Sequence, residues 1–356
     1  MLGFFYSEEE IMKAQTQTQA HSPKRQTAIR LVSTKDMPRS QWLSIRNQGI
    51  GASEAATAIG INPYQSQLEL WMIKTGRMSP DFNHDQEDSS SPMYWGNVLE
   101  PIVAEHYSRK TGFKVRRVNS ILQHPDSDKA WMLANLDYAV SGSDEVQVLE
   151  CKTAGEYGAK LWKDGVPEYY LCQVQHQLAI TGKQTADVAV LLCGQEFRIY
   201  RMQRDDELID QLIELEREFW SYVESDTAPP ADGSDSANQA LRMLYPKDSG
   251  TTIDLSDDSD FELSFQQLTQ VRSESQILSN REDELRQMLQ QRMGTASTAI
   301  FSSGKITWRK SKDSLSLNTK QLLKDNPELI EQYPLTRPGS RRFLIQSNTT
   351  DNQGDS

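Results

Sequence analysis

The chain has 356 residues, which is more than one average domain and suggests about two. Its 50 acidic and 38 basic side chains give a net charge of −12, which argues against a non-specific coat on nucleic acid but is compatible with one local basic groove. The longest apolar run, 188–193, is far below the roughly 18 residues of a membrane span, and the N-terminal patch lacks a basic start. We therefore expect a soluble cytosolic protein without a signal peptide.

The cysteine and histidine content disfavours several metal and redox classes. Cys151, Cys172 and Cys193 are scattered and form no CxxC pair, and the five histidines form no HExxH motif. A disulfide framework, a structural zinc and an iron–sulfur cluster are therefore all poorly supported.

Residues 1–35 are polar and rich in Gln and Thr, which is typical of a flexible tail. From about Ser40 the apolar spacing predicts short helices and then a long helix over 93–111. Short extended segments follow, separated by turn residues, and are predicted at 114–118, 121–124, 131–134, 138–140 and 145–151. A helix over 167–181, strands over 186–192 and 197–202, and a closing amphipathic helix complete one predicted α/β domain, 36–226.

The composition of 227–240, which includes the run APPADGSDS, predicts a linker. Residues 241–346 are predicted to form a C-terminal helix and a small α/β region, and 347–356 a disordered tail. Polar Ser275 and Glu282 interrupt the leucine spacing of the helix, so it is a weak coiled coil or a helix packed on a neighbour. The run SSGKIT, 302–307, lacks the first glycine of a phosphate loop and predicts a hairpin turn. Strand-like segments over 299–309 and 342–345 bracket a predicted helix near 319–333.

The segment LDYAVSGSDEVQVLECK carries the clearest chemistry. Glu150 and Lys152 are two apart on one predicted strand, so their side chains share a face, and a hairpin brings Asp137 alongside them. Carboxylates on a Val- and Leu-rich strand are costly to bury unless a cation compensates them. Hard oxygen ligands suit Mg²⁺ or Mn²⁺, and the lysine can then assist phosphodiester hydrolysis. Alone, this loose pattern is more often a surface hairpin with an ordinary ion pair.

Three further groups change that balance. Glu100 interrupts the apolar face of the long helix in WGNVLEPIVAEHY, where it is able to add a metal ligand. Gln173 and Gln177 share a face of the helix that follows the lysine strand. Arg46 and Ser53 flank a glycine turn, where a guanidinium, a hydroxyl and helix N-terminal amides would form a phosphate pocket. Each feature has an ordinary structural explanation: solvated helix side chains for the first two, and a capped turn for the third.

The order of these segments resembles the YqaJ-type viral recombinase family, which includes lambda-type exonucleases and lies within the PD-(D/E)xK nuclease superfamily. The motifs that carry the resemblance are R-x6-S, W-G-x3-E, D…E-x-K and Y-x-x-Q-V-Q, over about residues 46–220. The resemblance implies a restriction-endonuclease-like core, with a central mixed β-sheet flanked by helices. It also implies metal-dependent degradation of double-stranded DNA from a 5′ end.

Residue by residue, the resemblance implies that Glu100, Asp137 and Glu150 bind two Mg²⁺ ions, for which Mn²⁺ substitutes. Lys152 would assist the attacking water, and Gln173 would line the catalytic site. Arg46, Ser53 and Asn135 would hold the 5′-phosphate. The chain departs from the PD-(D/E)xK motif before Asp137, where Leu136 occupies the position of the motif's proline. A further carboxylate of some relatives would be Asp126 or Asp128 or would be absent, and only Lys160 is a candidate for the family's arginine after the lysine strand.

The same resemblance implies double-stranded DNA ends as substrate, a single-strand annealing recombinase as partner, and a homo-oligomer of ring type. It also implies a phage or prophage protein of the bacterial host cytoplasm. Lys110, Lys114, Arg116 and Arg117 would line the channel of such a ring. Two alternatives stay open: an endonuclease of the same fold, and a non-catalytic module that binds DNA ends or a partner. A CRISPR-associated relative with an iron–sulfur cluster is disfavoured by the three cysteines.

Overall fold

A computed structural model of the protein describes residues 27–79, 91–336 and 339–346. The chain divides into two compact units, with the boundary between Leu244 and Tyr245. Of the tail predicted for 1–35, residues 1–26 lie outside the described residues. The tail predicted for 347–356 lies entirely outside them. No helix of the described residues is long and apolar enough to span a bilayer.

The first unit contains the predicted α/β pattern. Its strands are β1 (Ile29–Ser33), β2 (Ile50–Gly51), β3 (Lys114–Arg117), β4 (Ser120–Gln123), β5 (Met132–Ala134), β6 (Tyr138–Ser141), β7 (Val148–Ala154), β8 (Thr185–Leu192) and β9 (Glu196–Gln203). Its α-helices are α1 (Arg39–Arg46), α2 (Ala55–Ala58), α3 (Gln67–Lys74), α4 (Pro92–Thr111), α5 (Glu156–Ala159), α6 (Glu168–Thr181), α7 (Asp206–Glu224) and α8 (Asp235–Leu244).

Five strands form the central sheet in the order β3-β6-β7-β8-β9. Strands β3, β6 and β7 pair antiparallel in that order. Strands β7 and β8 run parallel, with Glu150 beside Val188 and Lys152 beside Val190, and β9 is antiparallel to β8. The parallel pair requires a crossover, and helix α6 supplies it. A helix, an antiparallel trio of strands, a crossover helix and a parallel strand match the predicted restriction-endonuclease-like core, so the predicted fold class is confirmed.

Alternation along β7 separates an apolar layer from the catalytic candidates. Leu149 and Cys151 pack in one cluster with Val103, Ala104 and Tyr107 of α4. The intervening side chains of Glu150 and Lys152 point the other way, where they contact α6. This alternation is the period of two that the sequence predicted.

The two long helices beside the sheet begin and end at residues that the sequence signals. Helix α4 begins after Ser91, whose hydroxyl accepts from the Met93 N–H, and it ends at Gly112 with φ 77°. Helix α6 begins after Pro167 and ends at Gly182 with φ 67°. Only glycine adopts that left-handed backbone without strain, so both stops are set locally.

A second sheet, in the order β1-β4-β5-β2, lies in the same unit. A buried pair of side chains connects it to the helices: His176 Nδ1 lies 2.7 Å from Glu216 Oε1, and His176 Nε2 lies 3.1 Å from the Leu133 carbonyl oxygen. A carbonyl oxygen only accepts, so His176 Nε2 is the donor in the contact with Leu133. The pair joins α6 to α7 and to the strand that leads to Asp137.

Two boundaries differ from the prediction. Strand β1 lies inside the residues predicted as a tail, because it pairs with β4, a partner that local sequence does not reveal. The linker predicted for 227–240 is helical from Asp235, because Ala237 and Ala240 of α8 are buried. Ser236 accepts a hydrogen bond from the Ser66 N–H, which ties α8 to the start of α3.

The second unit is described by itself. It contains a 35-residue helix, the hairpin that SSGKIT predicted, and two short helices: α9 (Ser259–Met293), β10 (Thr298–Phe301), β11 (Gly304–Thr307), α10 (Thr319–Asp325) and α11 (Leu329–Gln332). Among its described residues none is buried. The strand predicted for 342–345 is wrong, since those residues have no strand partner.

Candidate functional site

The centre of the candidate site is the buried pair Glu150 and Lys152 on β7. Lys152 Nζ donates to Glu150 Oε1 at 2.7 Å and to Gln173 Oε1 at 2.9 Å, and Gln173 Nε2 donates to Glu150 Oε1 at 2.5 Å. Gln177 Nε2 donates to the other carboxylate oxygen at 2.8 Å. The two glutamines are therefore buried partners of Glu150, and the solvated alternative for them is excluded by this geometry.

Lys152 is a fixed ammonium donor. Burial lowers its pKa, but the electrostatic effects of the neighbouring Glu150, Tyr170 and Asp137 outweigh burial, and the net pKa is raised. The Tyr170 ring lies 4.5 Å from Nζ, so its face also stabilises the cation. Tyr170 had no predicted role, since no pattern in the sequence distinguishes a ring beside a cation from a core tyrosine.

Asp137 lies beside this pair, as the hairpin predicted. Its Oδ2 accepts the backbone N–H of Cys151 at 2.8 Å, which fixes the carboxylate against β7. Burial and the charge of Glu150 raise the pKa of Asp137 well above its ordinary value, with Lys152 opposing them. This carboxylate therefore lacks enough positive charge nearby to compensate its own.

Glu100 of α4 approaches the same region. Burial raises the pKa of Glu100, and Arg117 opposes this, with Nη2 at 3.2 Å from Oε1. Oε1 is buried, and no hydrogen bond from the described residues reaches it. Arg117 was predicted only as a channel cation, and its contact with Glu100 follows from the pairing of β3 with β6.

The donor set fits a divalent cation. Carboxylate oxygens are the ligands that Mg²⁺ prefers. Among the described residues, Glu100 Oε1 has the Arg117 ion pair but accepts no hydrogen bond, and a bound cation would satisfy this oxygen and the uncompensated charge of Asp137. As the side chains stand, no three His, Cys, Asp or Glu groups of the described residues form a ready-made cage. Both Glu150 oxygens are held by Lys152 and the glutamines, so binding would require these side chains to rearrange.

A second cluster surrounds Arg46, at the end of α1. Its Nη2 donates to Ser53 Oγ at 3.0 Å, so the structure brings together the two predicted phosphate ligands. Arg46 Nε is buried and has no hydrogen-bond partner among the described residues, which leaves a donor for an anion. A Cβ at Gly51 would lie 2.5 Å from Arg46 Nη2, so a larger residue there would displace the guanidinium. Ser53 lies in a three-residue 3-10 turn rather than at the start of a longer helix.

Glu54 and Lys74 hold Arg46, and sequence reasoning missed both. Glu54 Oε1 lies 3.1 Å from Arg46 Nη2, and Glu54 Oε2 accepts from Lys74 Nζ and from the Gly51 N–H, each at 2.7 Å. Burial alone would raise the pKa of Glu54, but Arg46 and Lys74 outweigh it and the net pKa is lowered. Burial lowers the pKa of Lys74. The capping-box spacing of Gly51 and Glu54 was an available signal, whereas Lys74 had none.

Trp42 connects the two clusters. The Arg46 guanidinium carbon lies 4.6 Å from the centre of the Trp42 ring, and Trp42 also lines a cleft of about 470 Å³. The same cleft, which we call the carboxylate cleft, is lined by Glu100, Asp137, Asn135, Arg117 and Lys35. The candidate phosphate pocket and the candidate metal ligands are therefore neighbours along one surface.

The remaining predicted residues are placed as follows. Asn135 lines the carboxylate cleft, but its amide donates to the Ser120 carbonyl at 3.2 Å rather than to Arg46 or Ser53. Asp126 caps the turn Ser127–Lys129 and pairs with Lys129, and Asp128 lies in the same turn. Neither lines the carboxylate cleft. Lys160 lies over the Tyr157 ring at 5.1 Å.

Comparison with known proteins identifies the family. Residues 41–184 match the model of the YqaJ-like viral recombinase domain. The chain is 34% identical over 321 residues to the uncharacterized protein YqaJ of Bacillus subtilis (strain 168), an alignment that covers 89% of this chain and 97% of that protein. The chain therefore belongs to the YqaJ-like viral recombinase family, as the motifs predicted.

Two solved structures show a weaker likeness. An alkaline exonuclease, LHK-Exo of Laribacter hongkongensis, solved in complex with dAMP, is 26% identical with a TM-score of 0.42, over 52% of this chain and 93% of that one. A phage-related exonuclease from Haemophilus somnus 129PT is 14% identical with a TM-score of 0.33, over 51% and 99%. At these TM-scores the likeness identifies neither the site nor the activity of this chain.

Proposed function

We propose that this protein is a metal-dependent DNA exonuclease. It degrades linear double-stranded DNA in the 5′ to 3′ direction, prefers a 5′-phosphate, and leaves 3′ single-stranded tails for phage-type homologous recombination. The observation that carries the proposal is the buried Glu150–Lys152 pair with Asp137 beside it. Asp137 lines the carboxylate cleft, and the cluster of Arg46 and Ser53 adjoins that cleft through Trp42. Membership of a viral recombinase family supports it.

Glu100, Asp137 and Glu150 would hold two Mg²⁺ ions, or Mn²⁺ in their place. When bound, such ions supply Lewis-acid stabilisation of negative charge on the scissile phosphate. Lys152 directs an ammonium group into the same region, where it orients the attacking water and neutralises charge on phosphorus. Gln173 fixes that ammonium through its amide oxygen, at 2.9 Å.

Arg46 and Ser53 would bind the terminal 5′-phosphate. The guanidinium has a free donor at Nε, and Glu54 and Lys74 hold its position from behind. Charge-assisted bonds to a dianionic end are stronger than those to an internal phosphodiester, which carries one charge. This difference is the physical reason to expect end selection.

The test uses three DNA substrates with Mg²⁺ and with EDTA: linear duplex with a 5′-phosphate, linear duplex with a 5′-hydroxyl, and a covalently closed circle. Strand-resolved end-label release reports activity and polarity together. We expect rapid release from the phosphorylated end, slower release from the hydroxyl end, and no cutting of the circle. Lys152→Ala should lower the rate by at least about 100-fold because it removes the ammonium, and Arg46→Ala should reduce the preference for phosphate.

The control is Lys163→Ala, which removes an exposed lysine of the same unit without touching the site. Full activity of Lys152→Ala with unchanged folding would contradict the proposed catalytic centre. Cleavage of the circle would favour an endonuclease of the same fold. A wild-type protein that binds DNA ends but degrades nothing with any divalent metal would favour the non-catalytic module.

The expected partners are double-stranded DNA ends and a single-strand annealing recombinase, and the expected assembly is a homo-oligomer of ring type. These expectations come from the family. Action inside a bacterial host cytoplasm, on behalf of a phage or prophage, belongs to the same proposal.

A further inference from the structure

A second groove adjoins the carboxylate cleft, and strand β1 forms one of its walls. It has a volume of about 320 Å³, and its lining includes Arg30, Ser33, Lys35, Arg116, Arg117 and Asn119. We call it the β1 groove. Four of these six residues are cations, in a chain whose net charge is −12.

Among the described residues, three of the four cations have no acidic partner. Within the described part of the chain, no carboxylate lies within 4.0 Å of Arg30, Lys35 or Arg116, whereas Arg117 pairs with Glu100 at 3.2 Å. All four side chains are exposed. Like charges gathered in one groove repel each other and concentrate the potential, so a polyanion is the ligand that offsets their repulsion.

The β1 groove is continuous with the carboxylate cleft. Lys35, Arg117, Val118 and Asn119 line both. The Thr34 N–H donates to the Asn119 carbonyl at 3.1 Å, which holds the residue before Lys35 against the β3–β4 connection. A DNA strand that extends out of the carboxylate cleft in this direction would therefore bring its next phosphates to the cations of the β1 groove.

Strand β1 lies outside the segment that the family model matches. It pairs antiparallel with β4, and the pairing is irregular between Arg30 and Val32, where Leu31 is the extra residue. The matched segment begins at residue 41, so the family model does not include Arg30 or Lys35. The groove combines this added strand with Arg116 and Arg117 of β3.

We propose that the β1 groove binds backbone phosphates of the DNA strand being degraded, on the 3′ side of the scissile bond. The inference rests on the proposed function. The order along the surface supports it: Arg46 contacts Trp42, Trp42 lines the carboxylate cleft, and that cleft opens into the groove. With the 5′-phosphate at Arg46 and the scissile bond at the carboxylates, the uncleaved strand continues past Lys35 toward Arg30.

The test measures DNA affinity in EDTA, so that it does not depend on hydrolysis. Fluorescence anisotropy of a blunt, 5′-phosphorylated duplex is followed over a salt series for wild type and for the double variant Arg30→Ala/Lys35→Ala. Each lost phosphate contact lowers the slope of log affinity against log salt by about 0.9, so we expect a reduction of about 1.8. At 0.1 M salt the affinity should fall on the order of tenfold or more.

The matched control is Lys163→Ala/Lys183→Ala, which removes two exposed lysines of the same unit that line neither cleft. The charge-retaining variant Arg30→Lys/Lys35→Arg should keep the wild-type slope, and Arg116→Ala on the opposite wall should lower it. An unchanged slope and affinity for Arg30→Ala/Lys35→Ala would contradict the proposal that the β1 groove binds DNA. An equal loss of affinity in the control would contradict it too. A wild type that binds no DNA at all would overturn the proposed function as well, so the two failures are distinguishable.

A second measurement locates the contacted phosphates. Neutral methylphosphonates replace single phosphates at the second, third or fourth position from the 5′ end. Wild type should lose affinity from such a replacement, and Arg30→Ala/Lys35→Ala should lose little more, because the contact is already absent. If the affinity losses from the methylphosphonate and from Arg30→Ala/Lys35→Ala add at every position, the groove does not contact these phosphates. That result would overturn the assignment of the groove to the 3′ side of the scissile bond.

Discussion

Among the carboxylates of the candidate site, Asp137 has the negative charge that nearby cations compensate least. Its carboxylate is buried beside Glu150, and Lys152 already pairs with Glu150. Folding therefore confines two negative charges where one ammonium is available, which lowers the free energy of unfolding of the metal-free protein. Sites built for a cation commonly lose stability in this way, and they regain it when the cation binds.

We expect Asp137→Asn to raise the unfolding midpoint of the metal-free protein by a few degrees, since removing one such charge contributes on the order of 1 kcal/mol. Asparagine keeps an oxygen that is able to accept from the Cys151 N–H. Mg²⁺ or Mn²⁺ should raise the midpoint of wild type and have a much smaller effect on the variant. Differential scanning fluorimetry at neutral pH, with EDTA and with each metal, measures both effects.

The control is Asp144→Asn, which neutralises an exposed carboxylate of the β6–β7 connection. It should change neither midpoint nor metal response. An equal metal response in wild type and Asp137→Asn would show that Asp137 is not a ligand.

At the scale of elements, helix α6 has two roles. It provides Gln173 to the candidate site, and its other buried polar side chains hold the neighbouring elements in place. Its buried side chains include Gln175, His176 and Gln177. Gln175 donates to the Gln203 carbonyl of β9 at 2.8 Å, and His176 connects to α7 and β5. Polar groups buried on one helix are tolerated because each finds a partner on a neighbouring element.

His176→Leu should lower the free energy of unfolding by about 3–5 kcal/mol, because it leaves the buried Glu216 carboxylate without its partner. The double variant His176→Leu/Glu216→Met should recover much of that loss, since it buries no unpaired charge. Urea unfolding followed by circular dichroism gives the three free energies. A single variant that loses less than about 1 kcal/mol would show that the pair is not a stabilising contact.

The element bounds show what local patterns predict. The predicted helix over 93–111 is α4, and the predicted strands from 114 to 202 are β3 to β9, each within a few residues. Periodicity and glycine stops are local properties, so the sequence suffices for them. Strand β1 and helix α8 were missed because their signal is a partner far along the chain: β4 for the former and the start of α3 for the latter.

At the scale of the whole molecule, the second unit is distinguished by exposed apolar side chains. Leu278 and Leu285 of α9 are 70% and 41% exposed, on the seam that the heptad spacing predicted. Helices of this length owe most of their stability to packing of such a stripe. In the proposed homo-oligomer, we expect a second copy of α9 to cover this stripe.

Leu278→Glu/Leu285→Glu should shift the protein toward a smaller assembly, because two charges replace seam contacts. Multi-angle light scattering after size exclusion measures the mass. The control, Asn280→Glu/Gln287→Glu, adds the same charge on the opposite face, two residues further along the helix, and should leave the mass unchanged. A monomeric wild type, or a variant with wild-type mass, would contradict a role of this seam in assembly.

By itself, the sequence determined the order of the strands and long helices from α4 to α7, the shared face of Glu150 and Lys152, and the nearness of Asp137, because strand alternation and hairpin turns depend on residues close in the chain. The motifs also determined the family. Only the tertiary structure decided which side chains surround them. Lys74 reaches Glu54 from 20 residues away and Gln173 reaches Glu150 from 23, while β1 reaches β4 across the whole α1–β3 segment. Such contacts depend on how elements pack, and packing of a buried lysine or an added strand has no local signature.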